Sequence, residues 1–327
     1  MEAAATLERH PGGIILNILG KYTIQWILLL ALIVLGAFNP AFRQPANLQN
    51  ILLQSTFTGI SAAGMTLLIM SGAFDLSVAG LIGLCGVALA QLMPKLGVAP
   101  AILATVVLGA VLGLANGLIV TKARIPAFIA TLGMMNIFLT LGFMWTNARV
   151  IPATDKAFRS ISSTTVFGML PVPFLVMIGV YLISYGILRY TTYGRYIRAV
   201  GSNPIASKVA GLPVDNVCIF AFTLVGLFTG LAGVLLTSML SSANVIMATG
   251  FELRVIAVVV VGGTSLQGGQ GTLLGSITGA LFFSVISNAL NMFGVAAYWQ
   301  YVAVGLILVT ALGIEALRSR FMEVARV

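Results

Sequence analysis

Apolar residues come in ten runs of helix length, separated by short polar clusters and without strict alternation. The runs are Tyr22–Phe38, Ile51–Met70, Leu76–Met93, Ala99–Thr121, Pro126–Trp145, Pro171–Leu188, Val217–Leu240, Leu253–Leu266, Thr272–Phe293 and Trp299–Leu317. A helix rises 1.5 Å per residue, so about 20 apolar residues cross a hydrocarbon core of roughly 30 Å. The pattern predicts an all-α integral membrane protein of about ten transmembrane helices. The eighth run is too short for an untilted helix and is expected as a short crossing or a re-entrant piece.

Two polar stretches interrupt the pattern. One, "TNARVIPATDKAFRSISSTTVFG", follows the fifth run. The other, "YTTYGRYIRAVGSNPIASKVAGLPVDN", follows the sixth and carries its own helix signals. Asn203 suits a cap, Pro204 the first helical position and Gly211 the stop, which predicts a helix of about two turns. With both termini inside, eleven Lys and Arg fall on the cytoplasmic side and six outside, so the positive-inside bias favours N-in and C-in. The domain reading is a tail over 1–21, one transmembrane unit over 22–317 with a cytoplasmic loop near 189–216, and a tail over 318–327.

Composition agrees with the pattern. Of 327 residues, 59% are hydrophobic and 8% charged, where soluble domains carry about a quarter charged. The net charge of +9 forms no basic stripe, because Lys and Arg sit singly at the ends of runs. No nucleic-acid partner is expected, and membrane lipid is. Cys85 and Cys218 each lie inside an apolar run and read as buried thiols. The one histidine, His10, cannot found a metal site. Glu2 and Glu8 disfavour a cleavable signal segment.

Glycines are abundant. Gly109, Gly113 and Gly117 repeat every four residues, as do Gly271, Gly275 and Gly279, and Gly226 with Gly230. Such stripes let helices approach closely and read as bundle packing. The stretch "GGTSLQGGQGTLLG" is no nucleotide loop: it lacks the Gly-Lys-Ser/Thr of the phosphate loop, and Leu274 stands where a dinucleotide fingerprint needs glycine. No cofactor is expected on this chain. Spans from Ile51 to Trp145 and from Val217 to Leu317 each hold a Gly-rich break, at "SGAFDLSVAG" and at "GGTSLQGGQGTLLG", and run in opposite senses. That suggests an inverted repeat, in which broken helices mark a pathway.

Asp75 stands out because a charged side chain at bilayer depth costs about 2.5–3.5 kcal/mol even on the lenient scale. Its place at a helix break favours capping freed amides of the following turn over direct solute contact. Asn116, Asn136, Asn288 and Asn291 lie inside spans, the last two on one helix face. Neutral amides and hydroxyls suit a neutral, hydroxyl-rich solute. No catalytic constellation is present, so the chain reads as a transport protein and not as an enzyme.

Three separated motifs give the chain a resemblance to the membrane permease subunits of ribose-type ATP-binding-cassette sugar importers, from about Asn47 to Leu312. They are "SGAFDLSVAG", "GRYIRAVGSNPIASKVAGLPV" and "VVVVGGTSLQGGQGTLLGSITGAL" with "NALNMFGVAAYWQ". The resemblance implies a dimer of permease subunits in the bacterial inner membrane. It implies a separate cytoplasmic ATP-binding subunit and an extracytoplasmic substrate-binding protein, with a monosaccharide as solute. It assigns Gly194, Arg195, Ala199, Gly201, Asn203, Ala206 and Gly211 to the ATPase-coupling loop. It places Gly72, Asp75, Leu76 and Ser77 in the first motif, and Gly262, Gly263, Thr264, Ser265, Gly268, Gly269, Gly271 and Gly275 in the last. Ala73, Phe74 and Ala79 stand where the family more often has Gly, Ile and Gly. Candidate helix-break and pathway residues are Gly72, Asp75, Ser77, Asn136, Gly262, Gly263, Thr264, Ser265, Asn288 and Asn291. Rival readings are import of a nucleoside, a branched-chain amino acid or a furanosyl signal molecule. Others are an ion-coupled secondary transporter and a membrane interaction protein without flux.

Overall fold

A computed structural model describes residues 22–324; the 1–21 tail, His10 and residues 325–327 lie outside it. All ten apolar runs form helices: α1 (Thr23–Phe38), α2 (Pro45–Met70), α3 (Val78–Leu96), α4 (Val98–Lys122), α5 (Ala127–Thr146), α7 (Val172–Tyr190), α10 (Val214–Leu240), α11 (Phe251–Val261), α12 (Leu273–Met292) and α13 (Ala297–Val324). Among the described residues, seven helices are long and apolar enough to cross a membrane by themselves: α2, α3, α4, α5, α7, α10 and α12. The two polar stretches supply three more helices, α6 (Lys156–Ser163), α8 (Thr192–Ser202) and α9 (Pro204–Val209). Four two-residue strands complete the fold: β1 (Ile151–Pro152) pairs antiparallel with β4 (Ser242–Ala243), and β2 (Thr165–Val166) with β3 (Leu170–Pro171).

Lipid is as apolar as leucine, so helices in a bilayer associate through close packing and hydrogen bonds instead of the hydrophobic effect. The glycine stripes serve this. A methyl at Gly113 would meet Gly226 Cα at 2.9 Å, and one at Gly109 would meet Gly230 Cα at 2.9 Å. α4 and α10 therefore run antiparallel at backbone contact, the most extensive pairing in the molecule. Gly279 against Val258, and Gly275 against Gly262, hold α12 on α11 in the same way. α2 lies at the centre of the bundle, flanked by α10, α12, α7 and α11. A buried hydroxyl pair, Thr66 with Ser276 at 2.6 Å, and an amide bond from Asn288 Nδ2 to Asn47 Oδ1 at 2.8 Å fix α12 antiparallel to α2.

The bundle has two distinct ends. At one, α6 docks on the close of α10: Ser162 Oγ donates to Leu235 O at 3.1 Å and Ser238 Oγ to Phe158 O at 2.8 Å. The other end carries α8 and α9. We call these the 147–171 end and the 191–213 end. The four helices from α2 and the four from α10 run in opposite senses, as the inverted repeat requires. The two Gly-rich breaks do not occupy inverted places, however. They touch each other at the 191–213 end, where Gly268 would bring a methyl to 3.1 Å from Gly72 Cα.

The eighth run forms the short helix α11, and only together with the largely non-helical segment before it does it reach from one end of the bundle to the other. α10 finishes at the 147–171 end, and the chain after α11 reaches the 191–213 end. The 11 residues of α11 span only about 16 Å. Residues 241–250 cover the rest as β4 followed by successive turns packed against the bundle, with Val245 and Ala248 buried. Val245 packs on Gly83 and Gly142, and Met247 on Gly86. Irregular backbone at membrane depth is tolerated when it is buried in protein. Turn bonds such as Met247 N to Asn244 O at 3.2 Å and Phe251 N to Ala248 O at 3.0 Å satisfy it locally.

Candidate functional site

The first break begins where α2 runs out of helix formers at Ser71-Gly72. Gly72 takes a φ of +91°, its N–H reaches Ile69 O at 2.9 Å, and Ala73 N–H reaches Leu68 O at 3.2 Å. This pair of bonds is the Schellman closure, and the left-handed position favours glycine. α11 ends identically: Gly263 (φ +86°) donates to Val260 O at 2.8 Å and Thr264 N–H to Val259 O at 3.1 Å.

Between Gly72 and α3 the chain turns back into the bundle, which is where Asp75 sits. Asp75, Ser77 and Asn116 are fully buried. One carboxylate oxygen accepts from Ser77 N–H at 2.7 Å and the other from Asn116 Nδ2 at 3.1 Å, while Asn116 Nδ2 also reaches Ser77 Oγ at 2.7 Å. Leu76 N–H donates to Thr131 Oγ1 at 3.1 Å, tying the same turn to α5. The carboxylate thus takes an amide just before α3, as its place at the break suggests. It also fastens the break to α4, which the sequence did not disclose. The sequence marks Asn116 only as an interior amide and carries no signal at Thr131. Neither lies near Asp75 in the chain, and only the glycine-tight bundle brings them there.

At the 191–213 end, α8 brings Gly201 onto both breaks. A methyl at Gly201 would collide with Met70 O and lie 2.6 Å from Gly269 N. Gly269 N–H donates to that same Met70 O at 2.9 Å. Gly268 would meet Gly201 O at 2.7 Å, and Gly269 would meet Ser202 Cα at 3.0 Å. Gly271 packs on Thr264 and on Met70 Cγ. Three sequence motifs far apart in the chain therefore meet at one joint built of bare backbone.

Around the joint, the residues assigned to the loop divide by exposure. Gly194 is buried on the end of α7, with its N–H on the capping Thr191 Oγ1 at 3.3 Å. Arg195 is exposed and Ala199 half-buried. Asn203 caps α9 by accepting from Ala206 N–H at 2.9 Å, and Gly211 (φ +80°) ends it, as expected. α8 itself was not expected. Its apolar positions Ile197 and Val200 are sparse among glycines and arginines, so the segment reads as loop. Also unforeseen, Ile205 and Val209 on α9 stand 78% and 85% exposed. They flank a cleft of about 560 Å³ between α9 and the start of α10. A second cleft of about 640 Å³ runs from the joint to Arg124 and Lys208.

Other candidates lie elsewhere. Asn288 is buried against the start of α2, and Asn291 is exposed and accepts from Gln300 Nε2 at 2.7 Å, both far from the joint. Asn136 is exposed on α5. Thr264 is buried, and Ser265 closes the loop by its N–H to Gln270 O at 3.1 Å. Among the described residues no three His, Cys, Asp or Glu side chains converge to hold a metal. Close-packed backbone of this kind suits transmission of movement between segments, not covalent chemistry.

Comparison with known proteins agrees with this arrangement. Residues 47–312 match the family described as branched-chain amino acid transport system / permease component. The ribose import permease protein of Haemophilus influenzae is 37% identical over 90% of this chain and 93% of its own length. That of Bacillus subtilis is 36% identical over 89% and 91%. The L-arabinose ABC transporter permease protein of Azospirillum brasilense is 32% identical over 95% and 91%. No solved structure matches the chain. Permeases of this kind work with ATP-binding and substrate-binding partners. The chain belongs to this permease-component family of ABC importers, as a multi-pass transport subunit of the bacterial inner membrane and not an enzyme.

Proposed function

We propose that the chain carries a monosaccharide across the inner membrane by alternating access, paired with a second permease subunit. ATP is hydrolysed by a cytoplasmic partner, and solute arrives from an extracytoplasmic binding protein. Relatives covered over nine-tenths of their length are named for ribose and arabinose, which supports a sugar over the amino acid in the family's description. N-in and C-in orientation is supported by the charge bias, since Lys122, Arg124, Arg189, Arg195, Arg198 and Lys208 all gather at the 191–213 end. That end is then cytoplasmic, and α6 faces outward toward the binding protein.

The observation that carries the coupling reading is the joint at Gly201. α9 offers Ile205 and Val209 to a partner, and four and eight residues before them along the chain Gly201 rests on both helix breaks. A push on α9 by the ATPase then reaches Gly72 and Gly268 without passing through a flexible side chain. Binding of ATP-loaded and empty partner states with different affinity supplies the bias.

The test is uptake of labelled ribose and arabinose in cells with and without the chain, repeated after ATP depletion and after collapse of the proton gradient. Uptake that requires ATP and survives the uncoupler supports the proposal. Uptake that dies with the gradient while ATP stays high moves the chain to ion-coupled transport.

A further inference from the structure

We propose, building on the pathway reading above, that Gly133, Asn136 and Thr140 of α5 line the water-filled route and meet the solute's hydroxyls, and that Phe74 closes this route toward the 191–213 end.

The first observation is a contrast between two neighbouring helices. On α4 the strongly exposed large residues are Leu103, Val107, Val111, Leu114 and Leu118, while Thr105 and Asn116 are buried. That is a surface made for acyl chains. α5 also exposes large apolar residues, Ile129, Ile137, Leu141 and Met144 among them, and buries Thr131 and Thr146, but unlike α4 it leaves polar side chains at mid-helix in the open, Asn136 and Thr140 in one stripe with Gly133. Positions three and seven apart fall on a single helix face. Asn136 Nδ2 donates to Leu132 O at 3.0 Å, which occupies one N–H and leaves the amide oxygen and the other N–H open. It lies nine residues into a 20-residue helix, about 13 Å from its start and near mid-membrane. Hydrocarbon offers such an amide no partner, so this face belongs to water or protein.

The second observation places an apolar constriction beside it. The rings of Phe74 and Phe128 meet edge-on with centroids 6.5 Å apart. Phe74 also packs into the cluster of Leu76, Ile256 and Val260, together with Leu266 and Leu308. One side chain on the break therefore touches α5 and reaches the group formed by α11 and α13. Phe128 precedes Asn136 by eight residues, which sets the constriction about 12 Å from the amide on the 191–213 side. Phe74 is two residues from Gly72, so displacement of the joint at Gly201 acts almost directly on its ring.

The chemistry fits a neutral polyhydroxyl solute. An amide and a hydroxyl each donate and accept, they bring no charge to desolvate, and Gly133 leaves space beside them with nothing within 4 Å of a notional methyl.

The test is thiol accessibility in the complete transporter, reconstituted in sealed vesicles with its ATPase, in a Cys85→Ala, Cys218→Ser background. N136C, T140C and the lipid-face control V111C are treated with a membrane-impermeant methanethiosulfonate from each side. N136C and T140C are expected to react at least about ten-fold faster than V111C, since only a hydrated thiol ionises and reacts. Adding F74A, or F74V if F74A does not insert, is expected to open N136C to reagent from the 191–213 side as well. N136C as slow as V111C from both sides overturns the proposal, and so does slow reaction combined with a disulfide between two copies at N136C. One-sided reactivity unchanged by F74A and F74V overturns the gate. Thiol reactivity needs no ATP hydrolysis, so ATP-independent sugar uptake would remove the importer reading while leaving this result intact.

Discussion

Replacing Gly201 by alanine tests the joint with one carbon. The new Cβ would overlap Met70 O and sit 2.6 Å from Gly269 N. Neither neighbour is a side chain that can rotate away, so α8, the end of α2 or the 262–272 loop must move by about an ångström. Movement of that size forfeits the Gly269 N–H to Met70 O bond, worth about 0.5–1.5 kcal/mol net. Overpacking of a tight site adds about 1–3 kcal/mol. The sum is a local cost of about 2–4 kcal/mol, a large part of what holds one loop in place, yet spread over a bundle whose other contacts remain. G201A is therefore expected to insert and purify in normal amount, to retain basal ATPase activity when reconstituted with its partners, and to lose sugar uptake by about ten-fold or more. Gly186→Ala is the control, because nothing lies within 4 Å of a methyl there, and its uptake should match the parent. G201A with parental uptake and parental stimulation of the ATPase would refute the rigid joint as the route of coupling.

Further outcomes follow from three other sites. Asp75→Asn should preserve folding, because Asn116 can turn its unpartnered Oδ1 toward the new amide. Asp75→Ala should lower the unfolding midpoint in detergent, since stranded buried donors cost about 1–3 kcal/mol each. Ile205→Asp with Val209→Asp should leave insertion and thermal stability unchanged, both side chains being largely exposed, yet reduce co-purification of the ATPase; full retention would remove α9 as the docking element. Lys122→Met breaks the 2.7 Å ion pair with Asp215, but both side chains are half exposed. Exposed pairs contribute only about 0–1 kcal/mol, so a clear drop in thermal stability would show that the pair does more than bridge α4 and α10.

The bundle was legible because hydrocarbon imposes its length on the chain: ten runs of apolar residues became ten helices, with boundaries moved by up to seven residues. The caps at Asn203 and Gly211 were legible for a local reason, being written within four residues of the turns they make. α8 was not, because what holds it as helix is burial of Ile197, Val200 and Gly201 against the bundle, a tertiary effect that its sparse apolar pattern does not carry. The partners of the Asp75 turn were hidden for the same reason, since Asn116 lies 41 residues beyond Asp75 and Thr131 55 residues beyond Leu76, on separate helices. The pairing of the two glycine breaks as inverted equivalents failed on geometry. Each is a helix stop of the same Schellman type, so their sequences look alike, but likeness of a cap says nothing about which end of the bundle it occupies.

The glycines of the three motifs acquire a common reason once they are placed in space. A joint made of side chains would have rotamers, and each rotamer is a way to absorb a displacement instead of passing it on. Gly72, Gly201, Gly268 and Gly269 remove that slack, because backbone meets backbone and the chain direction is fixed by hydrogen bonds to Met70 O and Ile69 O. The same bareness leaves the joint little to hold it if the segments part. Its persistence must then come from the anchors behind it: the Asp75–Asn116–Ser77 cluster on one break and the Gly262–Gly275 contact on the other. On the proposed reading, a stiff, weakly bonded contact between well-anchored segments is what alternating access needs, since it carries force while it is closed and costs little to open.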